Sequence, residues 1–163
     1  MYYLMKNRFL LLILIFFNQT SWAQSELQIR IDTDSKVKKS LSQCYFETVA
    51  VTTFDSEIEN WEVCSFENEG RVLKISSYKN ELYHEEMYVE INGDLVYAKE
   101  TEKYIPHNHF SQMEWNCQFY TKKGKLLSLI SLGHGKTEDE NWDPIIIFAM
   151  YSKRLDEFNK IKK

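Results

Sequence analysis

The chain has 163 residues, 20 basic against 24 acidic side chains, and an aromatic content of 15 %. That length suits one ordinary domain, and the acidic balance lacks the electrostatic footprint of a nucleic-acid binder or of a protein held on anionic lipid. Two Pro and five Gly, with no Ser/Gly tract, argue against a flexible linker.

The first 23 residues read as a secretory signal. Lys6 and Arg8 form a basic start, residues 9–17 are an unbroken apolar run, and Ser21-Trp22-Ala23 is a small-x-small cleavage pattern. A membrane-spanning helix needs about 20 apolar residues, more than this run offers. Cleavage after Ala23 is therefore expected, leaving one domain over residues 24–163, secreted or periplasmic. Those 140 residues carry 18 basic and 24 acidic side chains, a formal charge of −6 that serves solubility.

Residues 24–43 are ambiguous. Gln28-Ile29-Arg30-Ile31 alternates like a strand, whereas Val37 and Leu41 would lie inward on a short helix over 35–43. Beyond them, Asn and Gly punctuate the chain at short intervals. Phe66 to Leu73 around Gly70, Tyr78-Lys-Asn80-Glu-Leu82, Ile91-Asn92-Gly93-Asp-Leu95 and Tyr120 to Leu126 around Gly124 each place an apolar residue before the turn and a Leu after it. Asn and Gly tolerate the positive φ that tight hairpins require, and Asn-Gly is the strongest short hairpin signal. The intervening stretches, 71–77, 85–91, 94–103, 114–120 and 125–132, have strand length. Met87, Val89 and Ile91 fall on one face and Tyr88 and Glu90 on the other. Residues 45–54 and 61–66 supply two more, around a turn at 55–59. The prediction is α+β: an antiparallel meander of about seven strands.

This punctuation resembles the tyrosine-and-glycine hairpin repeats of MORN-type proteins over Phe66 to Leu126, which implies the same meander. The second Gly and the Gly-x-Trp step of that repeat are missing.

At the C-terminus the period changes. Asp143 before Pro144 is an N-cap with Pro at the first helical position, and Phe148, Tyr151, Leu155 and Phe158 form one apolar stripe. The resulting helix should pack on one face of the sheet.

Three Cys in an oxidising compartment allow one bridge at most. Alternation puts Cys117 on the face of Trp115 and Phe119, and buried thiols are preferred to a disulfide among Cys44, Cys64 and Cys117.

In a regular meander the two longest loops, 104–113 and 133–143, share a rim. They hold His107, His109 and His134, a conceivable transition-metal set, with Glu138, Asp139 and Glu140 following. His84 and the pair Glu85-Glu86 read as solvated strand surface. Tyr83, Tyr88, Tyr97, Tyr104 and Trp142 are candidates for an aromatic binding face, unless helices cover both sides of the sheet. No catalytic elbow, phosphate loop, zinc-helix motif or Cys-x-x-Cys is present, so no catalytic residue or cofactor is assigned. The expected function is an exported, non-catalytic binding or accessory protein engaging a protein or envelope component. A metal-binding or metal-dependent hydrolytic role on the loop histidines, and an inhibitor or immunity-type role, are the alternatives.

Overall fold

A computed structural model describes residues 25–54, 57–66, 70–105 and 113–161. The sheet is a seven-stranded antiparallel meander, β1 Glu47–Phe54, β2 Glu57–Phe66, β3 Gly70–Lys79, β4 Leu82–Ile91, β5 Asp94–Tyr104, β6 Met113–Lys122 and β7 Lys125–Gly133, each strand paired with its predecessor. Short hairpins enforce that order. Asn80-Glu81, Asn92-Gly93 and Lys123-Gly124 all carry positive φ at both central positions, the geometry whose twist matches the flanking strands.

Helices cover both faces. Helix α1, residues 25–43, lies across one side. Its Val37 and Leu41 pack into a layer of Val72, Val89, Tyr97 and Tyr120. The strand reading of 28–31 is thereby corrected: Glu26, Arg30, Val37 and Leu41 recur at helical spacing, and two of them meet Ser128 of β7. The alternation of 28–31 covers too few residues to outweigh that longer period.

Helix α2, Ile146–Ile161, covers the other side. Asp143 caps it, its carboxylate accepting from the Ile145 N–H at 2.9 Å. Ile147 and Phe158 are buried there with Trp61, Leu73, Tyr88, Ala98, Trp115 and Phe119. The inward line runs Ile147–Tyr151–Arg154–Phe158, so an arginine stands in the middle of the expected apolar stripe.

A disulfide joins Cys44, just past α1, to Cys64 of β2, with Cα atoms 5.5 Å apart. This corrects the preference for buried thiols. The end of α1 is delivered onto the α1-facing side of β2, where alternation places the buried Cys64 opposite the Trp61 and Val63 side. Only Cys117 is free, buried beside Trp115 and Phe119 as its alternation predicts.

Candidate functional site

Two features stand out, on opposite faces of the sheet. The first is a row of charges under α2. Strand pairing sets Ile75, Glu86, Glu100 and Cys117 in one line across β3 to β6, and Ser77, His84, Glu102 and Trp115 in the next. Glu86 and Glu100 are 3 % and 1 % exposed, directly opposite each other. Two neighbouring buried carboxylates stay ionised only if cations meet them.

The helix supplies one cation. Arg154 donates from Nε and Nη2 to both oxygens of Glu86, at 2.9 and 2.7 Å, and from Nη1 to Glu157 at 2.9 Å. The same nitrogen lies 3.1 Å from Glu59, and the guanidinium stacks on the Trp61 ring 5.5 Å from its centroid. Burial pushes the Glu86 carboxyl up, but the Arg154 contacts and the Tyr88 hydroxyl outweigh it and hold that carboxyl below its usual range. Further along the helix, the Tyr151 hydroxyl donates to Glu90, which also accepts from Arg71 at 3.2 Å.

The loop after β7 supplies the other. Gly133 has φ +85° and lies against the β6 backbone, where a Cβ would stand 1.9 Å from the Glu114 carbonyl oxygen. The chain then passes over Trp115, whose indole N–H donates to Ser131 and Thr137 at 2.9 and 3.1 Å. This path brings Lys136 onto Glu100, and onto Glu102 at 2.8 Å. His84 completes the cluster, its Nε2 2.9 Å from Glu100 and its Nδ1 3.8 Å from Glu86. Burial raises the Glu100 carboxyl, yet His84 and Lys136 together hold it low. Burial would lower the His84 imidazole, but the two carboxylates hold it above its ordinary value.

The reading of His84 and Glu86 as solvated surface is corrected: Glu86 is buried and His84 half-buried between the two glutamates. Glu85, on the opposite face, is half-buried as well, near Lys74 and accepting from Tyr83. His84, Glu100 and Glu102 present donor atoms within 4.8 Å of one another, a set that could hold a cation. The Lys136 ammonium already matches both carboxylates, so the cluster is a closed ionic layer joining α2 and the 133–143 loop to the sheet.

The second feature is a groove of about 950 Å³ between one flank of α1 and the turn ends of the β4–β5 and β6–β7 hairpins. Ile29, Ile91, Val96 and Leu127 give it an apolar floor, and Lys36, Lys122, Lys123, Asp32 and Asp94 line its rim. The Lys123 backbone N–H donates to the Asp94 carboxylate at 2.6 Å, tying the two hairpins together. The charge cluster and this groove therefore do not coincide. The groove is the accessible one, and a concave apolar floor with a few polar groups is the form binding sites take.

The residues singled out from sequence scatter. His107 and His109 lie outside the described residues, and His134 is exposed, 2.5 Å from Glu138. Tyr88 is buried under α2 and Tyr97 under α1, against Tyr120. Trp142 packs edge-on against Trp115. Tyr83 and Tyr104 lie near the opposite end of the sheet from the groove and donate to Glu85 and Glu81. The five aromatics do not share one open face.

No family model matches the chain, and no curated protein or solved structure matches it either.

Proposed function

We propose that this is an exported, non-catalytic binding protein that engages another protein or an envelope component through the groove between α1 and the hairpin ends. The observation that carries the reading is the pairing of an apolar floor with a rim of mixed charge, on a molecule whose two broad sheet faces are already covered. A disulfide is compatible with an extracellular location, and among the described residues no helix is long and apolar enough to cross a membrane. The free thiol adds no nucleophile, because burial pushes Cys117 up to about 12.

The test is a comparative capture from envelope extracts. Wild-type bait should retain a discrete species that Leu127→Asp and Lys123→Glu baits lose, while Ile146→Asp, on the exposed side of α2, retains it. Equal capture by all baits, or hydrolytic activity that survives the groove substitutions, would contradict the reading.

A further inference from the structure

The rim of the groove departs in charge from the rest of the molecule. Lys36, Lys122 and Lys123 stand on it against Asp32 and Asp94, a net +1 on a chain of net −4. Both acids are already engaged. Asp32 accepts from the Gln28 amide at 2.8 Å, and Asp94 accepts from the Lys123 backbone N–H. The three lysines are exposed, and among the described residues no carboxylate forms an ion pair with any of them. Unmatched cations around an apolar floor attract anions and turn cations away.

The lining also limits which anion fits. Its floor holds four aliphatic side chains, room for one or two apolar groups of a ligand. Thr33 and Asn92 share the lining, and neither side chain has a hydrogen-bond partner among the described residues. An acyl chain has nothing to offer such groups. A peptide does, because every residue but Pro brings a donor and an acceptor on its backbone.

We propose that the groove takes an acidic, aliphatic segment of a partner protein, with its apolar side chains on the floor and its carboxylates against Lys36, Lys122 and Lys123. This partner chemistry rests on the groove being the binding surface proposed above.

Fluorescence anisotropy of labelled hexapeptides with the purified chain tests it. Glu-Glu-Leu-Ile-Glu-Glu should bind saturably at ~50 mM salt and weaken as salt rises. A counterpart with Lys at the four acidic positions, and another with Ser for the aliphatic pair, should each bind about tenfold more weakly or worse. Lys123→Glu should lower affinity for the acidic peptide about tenfold, whereas Lys153→Glu, the same change of charge on the exposed side of α2, should leave it unchanged. No saturable binding, equal binding of the basic peptide, equal losses from the two substitutions, or displacement of the peptide by phosphatidylglycerol vesicles would overturn the proposal. Capture from envelope extracts that still depended on Leu127 would then uphold the groove and remove only its acidic partner.

Discussion

Arg154 shows how one residue can decide the face of an element. It is the only cation described on Glu86 and Glu59 from the helix side, so its removal leaves two buried carboxylates short of a partner. Breaking a buried pair in this way costs about 3–5 kcal/mol. Glu86 titrates low in the fold, so its stabilisation is present above the unfolded carboxylate value and is lost as pH falls through the folded one. Arg154→Ala should therefore lower the thermal midpoint sharply at neutral pH and much less in acid below the folded Glu86 value, where that carboxyl too is protonated. Equal losses at both values would contradict the assignment. His84 has the opposite sign. Held above its ordinary value, it stabilises fully below the unfolded imidazole value and loses that contribution as pH rises through its folded one. Proton NMR should place the His84 midpoint above 6.5, and His84→Gln should flatten the decline on the alkaline side; a midpoint at or below 6.5 would refute this. These residues were readable in part. Glu86 shares the parity of Tyr88, Glu100 that of Ala98, and Arg154 sits between Tyr151 and Phe158 on the helical stripe. A search for apolar spacing alone passes over charges that occupy core positions.

At the level of elements, local signals were the legible ones. Asn92-Gly93 and Lys123-Gly124 specify their own backbone, and no distant contact is needed to read a hairpin from them. The Asp143 cap and the period of α2 are similarly local. The course of α1 was harder to read, because its helicity rests on Val37, Leu41 and Arg30 meeting strands 30 to 100 residues away. The Cys44–Cys64 bridge fixes that docking and closes a loop spanning 20 residues, worth roughly 3 kcal/mol through the unfolded chain. Without reductant, unfolded protein should release one reactive thiol, and with reductant three. The folded protein should show none, since Cys117 is buried; three thiols without reductant would eliminate the bridge. Gly133→Ala should be destabilising beyond an ordinary surface change, because the position has positive φ and no room for a Cβ. Loss of the Lys136 contacts should accompany it.

For the whole molecule, the arrangement is a sheet between two helices, each docked by its own chemistry: apolar contacts and a disulfide for α1, an ionic layer for α2. Meander topology was legible because consecutive hairpins leave few alternatives. Which face would be bare was not, since both parities of β4 carry large side chains, Val89 on one and Tyr88 on the other, and both are buried. With both faces covered, the proposed recognition falls at the periphery, where α1 and the hairpin ends leave a cleft. A photo-reactive amino acid placed at Lys123 in the cleft, and separately at Lys153 on the exposed side of α2, tests that placement directly in living cells. Adducts with another macromolecule formed from position 123 and absent from position 153 are the predicted result. Adducts from 153 alone, or none from either, would contradict it.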